Sequence, residues 1–191
     1  MTDKHATPDP RDALVGYIGS MRAFAYSLTR NDAAADDLVQ DSLVKAWKNI
    51  ESFERGTNMQ AWLFTIQRNT FYSNLRKSRR EVEDVDGVMA GKLSEKPRHD
   101  GVLALDEFNR AFVKLPVEQR EALSLVGASG FSYEEAAVTC GVAVGTIKSR
   151  VNRGRSKLVE MLGLAAPELG EIDDRVVQGI VSASSPNGAI S

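Results

Sequence analysis

Apolar positions recur at helical spacing along most of the chain. Between Leu38 and Ile50 the residues Leu38, Val39, Leu43, Val44, Ala46, Trp47 and Ile50 follow the three-to-four-residue period of an amphipathic helix. Asp32, Asp36 and Asp37 fall in its first turns, where carboxylates complement the helix dipole. The stretch SFERGTN breaks the pattern, with Gly56 as a turn residue. A second helix follows, and Met59, Trp62, Leu63, Ile66, Thr70, Phe71 and Leu75 trace its buried side. Apart from that break, the chain reads as helical from about Asp12 to Arg80.

The periodicity then dissolves. EVEDVDGVMAGKLSEKPRHDG is acidic at first, then rich in Gly, Pro and charge, which is the composition of a flexible linker. Helical spacing returns at Leu103, Leu105, Phe108, Ala111, Phe112 and Leu115. Pro116 is expected to open the next helix at its first turn, where proline is tolerated, ahead of Ala122, Leu123, Leu125 and Val126. After Leu164, ELGEIDDRVVQGIVSA can form one short amphipathic helix through Ile172, Val176, Val177 and Ile180, although a solvated tail is the plainer reading. No window alternates at period two, so strands are not needed. The expected fold is all-α, with two small helical domains at residues 12–80 and 103–162. A flexible linker (81–102) joins them, with a disordered N-terminus (1–11) and a tail (163–191) outside.

The segment FSYEEAAVTCGVAVGTIKSRVNRGRSKL has the grammar of a helix-turn-helix. Ser132 and Glu135 form an S-x-x-E capping box, which starts a helix. Ala136 and Ala137 are small enough for a second helix to cross closely. Gly141 supplies the left-handed residue that ends the first helix. The second helix then buries Val144, Ile147, Val151 and Leu158. Its N-cap, Ala143, has no side-chain acceptor, an omission that costs about 1 kcal/mol. Thr146, Lys148, Ser149, Arg150, Asn152, Arg153 and Arg155 are left as candidates for a DNA duplex. Lys and Arg donate to guanine edges or phosphates, Asn pairs with adenine, and Thr and Ser serve either. A solvated basic face would account for the charges alone. It would not account for the cap, the glycine turn and the small-residue crossing together.

Charge refines this picture. The net charge of −2 argues weakly against a nucleic-acid binder, but the basic residues are clustered. Lys148, Arg150, Arg153, Arg155 and Lys157 make one cluster. Arg68, Arg76, Lys77, Arg79 and Arg80 make another, with Phe71 and Tyr72 interleaved. Cations that hold a backbone beside aromatics that stack on bases suit single-stranded nucleic acid. Tyr72 is the better stacking candidate, whereas Trp62 and Phe71 fit the buried stripe. The single cysteine, Cys140, excludes an internal disulfide and a Cys-rich zinc site. His5 and His99 lie in stretches expected to be disordered, and no catalytic constellation, metal site or cofactor site is predicted. Without a signal peptide or an apolar run of roughly 18–20 residues, the chain reads as cytoplasmic, with no membrane insertion.

DDLVQDSLVKAWKNIESF, a short loop and MQAWLFTIQRNTFYSNLRKSRR resemble region 2 of bacterial sigma factors. Their spacing to the helix-turn-helix is similar to that of the two-domain extracytoplasmic-function (ECF) type. FERGTNMQAWLFTIQRNTF, SRREVED, LPVEQREALSLVGASGFSYEEAA and GTIKSRVNRGR look like the EcfG-type group that runs the general stress response. The resemblance covers about residues 12 to 162 and implies a set of roles. Asp37, Gln40 and Asp41 would dock on the β′ clamp helices of core RNA polymerase, with the β flap as a further contact. Gly56, Thr57 and Asn58 in the loop, and Asn69, Tyr72, Ser73, Arg76 and Lys77 beyond it, would capture the −10 strand. A base flipped from the stack would cost a few kcal/mol. The helix-turn-helix would read the −35 duplex. Promoters with GGAAC-like −35 and CGTT-like −10 elements are implied, as is a NepR-type anti-sigma factor withdrawn by a PhyR-type regulator.

Three other readings stay open on the sequence. A conventional helix-turn-helix regulator would bind an operator without polymerase. A sigma-like module would titrate an anti-sigma factor without binding promoters. An enzyme is disfavoured by the lack of paired carboxylates or a phosphate loop.

Overall fold

The computed structural model describes residues 9–83 and 103–163, of which 81–83 and 103–106 are described as backbone only. These residues are helical, with no strand among them. The expected linker beyond residue 83 and the tail helix through Ile180 lie outside the described residues.

The first half holds α1 (Pro10–Ala13), a 3₁₀ turn at Leu14–Tyr17, α2 (Ile18–Thr29), α3 (Asp32–Lys48) and α4 (Met59–Glu83). The disordered N-terminus expected through residue 11 is corrected at its end. The Asp9 carboxylate accepts from the Arg11 amide and caps α1. The Arg11 guanidinium reaches Glu51 at 3.3 Å and lies over the Trp47 ring. α4 also runs three residues past Arg80 into the expected linker, because Glu81, Val82 and Glu83 contain no helix breaker.

α2 and α3 form an antiparallel pair joined by Arg22, whose guanidinium meets Asp36 at 2.6 Å and Asp32 at 3.0 Å. Arg30 ends α2 with φ +60, and Asn31 then caps α3 by accepting from the Ala34 amide. Phe24 of α2 stacks on Phe64 of α4, with ring centroids 4.5 Å apart. Gln67 is buried in the same core and donates to the Met21 carbonyl at 2.8 Å.

One part of the α3 stripe is corrected. Ala35, Leu38, Val39, Ser42 and Ala46 face the core, while Val44 and Trp47 are more than half exposed. A helix buries one stripe, and these two residues fall on the opposite side, in line with Asp37, Gln40 and Asp41.

The second half holds α5 (Leu103–Phe112), α6 (Val117–Leu123), a π-helical turn at Ser124–Ala128, α7 (Tyr133–Cys140) and α8 (Val144–Leu162). Pro116 is the N-cap of α6 rather than its first helical residue. Its backbone is extended at φ −54, ψ 144, and its carbonyl accepts from the amides of Gln119 and Arg120. α6 crosses α8 at Gly154, where an added Cβ would stand 2.7 Å from Leu123 Cδ1.

The halves pack on each other, α2 against α6 and α4 against α7. Phe64 stacks on Phe131 across the boundary, 5.6 Å between centroids.

Candidate nucleic-acid interface

The helix-turn-helix forms by the local rules its sequence encodes. The Ser132 hydroxyl accepts from the Glu135 amide at 3.1 Å, and the Glu135 carboxylate accepts from the Ser132 amide at 2.9 Å. These backbone and side-chain donors hold the Glu135 carboxyl below its usual range. Gly141 ends α7 at φ +64. Ala143 precedes α8 in extended conformation and makes no side-chain cap.

Burial of Ile147, Val151, Gly154 and Leu158 fixes the rotation of α8. Thr146, Lys148, Asn152 and Arg153 are exposed, and Ser149 and Arg155 are half-buried. Lys148 Nζ lies over the Tyr133 ring at 5.8 Å. Arg150 departs from the expected outward face. Its Nη1 is turned into the protein and stands 3.9 Å from Glu121 Oε2, beyond hydrogen-bond reach.

The second surface lies between the end of α3 and α4. A groove of about 470 Å³ is lined by Lys45, Asn49, Ser52, Trp62, Ile66, Asn69, Thr70, Ser73 and Arg76. Asn69, Ser73 and Arg76 therefore meet on one wall, as their i, i+4 and i+7 spacing predicts. Lys45 Nζ donates to Thr70 Oγ1 at 3.0 Å and sets a cation over the floor. Trp62 packs on Phe53 of the preceding loop, 5.4 Å between ring centroids, and presents its ring to the groove. In that loop Gly56 adopts φ +88, Thr57 donates to the Glu54 carbonyl, and Asn58 Oδ1 accepts from the Ala61 amide to cap α4.

Two expectations change here. Tyr72 does not line the groove. It lies edge-on to Phe71, carries Arg68 over its ring at 4.6 Å, and directs its hydroxyl to Glu121 at 3.4 Å. Burial pushes its phenol well above the usual tyrosine range, and Glu121 adds to the shift. Trp62 packs against the core, as expected, and also lines the groove. Lys77 is exposed on α4 but is not among the lining residues. Lys45, Asn49 and Ser52 were missed because they belong to a different helix end. Their own three-to-four spacing was the available signal.

A third surface is the outer face of α3. Asp37, Gln40 and Asp41 are exposed, and Val44 and Trp47 continue the same stripe. Val44 and Trp47 leave some apolar surface at the end of this polar stripe, and Arg11 lies over the Trp47 ring.

Two separate polar surfaces, one on a helix-turn-helix and one on a grooved helical domain, make this an all-helical protein with two candidate nucleic-acid faces. Residues 16–81 match Sigma-70 region 2, and residues 105–158 match Sigma-70, region 4. The chain is 55% identical over 170 residues to the ECF RNA polymerase sigma factor EcfG of Rhodopseudomonas palustris, covering 89% of this chain and 94% of that one. It is 32% identical to the ECF RNA polymerase sigma factor SigE of Mycolicibacterium smegmatis, covering 88% and 67%. Among solved structures, the sigma factor RpoE of Bartonella quintana, in complex with the anti-sigma factor NepR, matches with a TM-score of 0.75 at 51% identity. That match covers 82% of this chain and 98% of that chain. The chain belongs to the ECF RNA polymerase sigma factors.

Proposed function

We propose that this sigma factor reads stress-response promoters with its two DNA-facing surfaces while core polymerase holds it by the outer face of α3. The exposed groups Thr146, Lys148, Asn152 and Arg153 enter the −35 major groove, with Ser149 and Arg155 at the margin. The groove between α3 and α4 captures the unpaired −10 strand, with Lys45 and Arg76 beside the backbone and Trp62 stacking on a base. Gly56, Thr57 and Asn58 form the loop at its mouth. Asp37, Gln40, Asp41, Val44 and Trp47 meet the β′ clamp helices, and the second half meets the β flap. The role is recognition, in the cytoplasm, and nucleotide chemistry is left to polymerase. The likeness to a NepR-bound relative supports a NepR-type inhibitor for this chain as well.

The observation that carries this reading is the convergence of Asn69, Ser73, Arg76 and Trp62 on one groove, in the half that matches region 2. Run-off transcription with purified core polymerase on a GGAAC/CGTT template tests it. A transcript dependent on this chain is expected. Tight operator binding by the free chain with no transcript would replace the reading with a conventional repressor or activator.

A further inference from the structure

The 3₁₀ turn at Ile50–Ser52, which leads into the loop at the mouth of the groove, stands between two cavities. On one side Asn49 and Ser52 form an edge of the groove itself. On the other, Ile50, Glu51 and Phe53 border a second cavity of about 420 Å³, closed by Asp9, Pro10 and Arg11. Arg55 of the loop reaches the same cavity. The Arg11 guanidinium donates to Asp9 Oδ2 at 3.1 Å and to Glu51 Oε1 at 3.3 Å. It also lies 5.4 Å from the centre of the Trp47 ring. The Arg11 amide does most to hold the Asp9 carboxyl below its usual range, and the Arg55 guanidinium adds to it.

We propose that residues 9–13 are a strap that positions the −10 loop, with Arg11 as its positioning residue. The inference rests on the assignment of the groove to the −10 strand. Among the described residues, the hydrogen bonds of residues 54–57 run within the loop. The turn ahead of them is anchored by buried Ile50 on its inner side and by Arg11 on Glu51 at its outer side. Ser52 donates to the Asn49 carbonyl through both its amide and its hydroxyl. A shift of Glu51 therefore carries Asn49 and Ser52, and with them one edge of the groove. Phe53 follows directly and packs on Trp62.

An exposed ion pair adds little to stability, so the strap acts through order. A planar guanidinium held by two carboxylates and an aromatic face loses little further freedom when it fixes the turn. A loop set before the strand arrives spares the ordering cost of binding. Its loss should blur the choice of base more than the grip on phosphates, because base contacts specify and phosphate contacts position.

The test uses holoenzyme assembled from core polymerase and the full chain, with short fluorescent single strands as probes. One strand carries CGTT, and the other has those bases changed. The wild type is expected to prefer the first. Arg11→Glu and Glu51→Arg should each reduce that preference on the order of fivefold, the low end for losing one base contact. Affinity for core polymerase and the melting midpoint should hold, since the pair lies at the surface. The reversed pair Arg11→Glu/Glu51→Arg restores opposite charges and should recover most of the preference.

Unchanged preference in both single variants overturns the strap. Equal loss of affinity for both strands makes Arg11 a plain phosphate contact and overturns the positioning role too. So does a reversed pair no better than the single variants, or a fall in melting midpoint or core affinity that accounts for the loss. A wild type that binds both strands alike sinks the −10 assignment itself, a result distinct from all of these.

Discussion

Glu135 serves two contacts at once. It closes the capping box on Ser132 and accepts from Asn58 of the other half, and both contacts favour its ionised form. Its folded-state pKa is therefore depressed. The stability it contributes is present above the ordinary carboxylate value of 4.5 and is lost as pH falls through the lower folded value. Thermal melts between neutral and acidic pH should show the wild type losing more stability on acidification than Glu135→Gln. Parallel curves would deny Glu135 that role. Arg153 is exposed on the outer side of α8, and Arg153→Ala is expected to weaken −35 binding by the holoenzyme by about 1–3 kcal/mol if it reads a base edge. Unaltered affinity would return Arg153 to the solvated face. Trp62 makes a different prediction. Trp62→Ala should reduce strand opening, read by permanganate reactivity at the −10 element, while closed-complex affinity holds. Tyr72→Phe should leave opening in the polymerase-bound form near normal, since the ring faces Arg68 and Glu121 and not the groove.

At the scale of elements, α8 combines a poor start with a tight crossing. Ala143 gives the helix no cap, so Ala143→Ser is expected to stabilise the chain by about 0.5–2 kcal/mol in thermal or urea unfolding. Gly154 lies against Leu123, and Gly154→Ala forces a Cβ into a 2.7 Å approach. The Leu123 side chain must shift, and a loss of about 1–3 kcal/mol is expected from overpacking. A neutral or stabilising result would mean that the crossing has slack. These two positions also show how far the sequence could be read. The capping box, the glycine at the end of α7 and the missing cap at Ala143 are local signals between residues a few positions apart, and all three appear as their spacing predicts. Gly154 was not legible, because its requirement comes from Leu123, some thirty positions away. The groove was half legible for the same reason. Asn69, Ser73 and Arg76 share one helix face, whereas Lys45, Asn49 and Ser52 arrive from α3 by tertiary packing. Val44 and Trp47 share the helical period of the buried residues yet are exposed, because periodicity marks apolar residues without saying which stripe is buried.

At the scale of the molecule, a net charge of −2 is compatible with DNA binding because the charges are divided among surfaces. Basic groups border the groove and α8, acidic groups lie on the outer face of α3, and Glu121 is buried between the halves. No helix among the described residues is long and apolar enough to cross a membrane. The central claim is that two surfaces of one chain read two separate promoter elements. The most direct test is run-off transcription by core polymerase with wild type, Arg153→Ala and Trp62→Ala on four templates: intact, −35 altered, −10 altered, and both altered. Arg153→Ala should lose activity on the intact template and become indifferent to the −35 change while staying sensitive to the −10 change. Trp62→Ala should show the reverse pattern. Equal sensitivity of both variants to both elements would contradict the account.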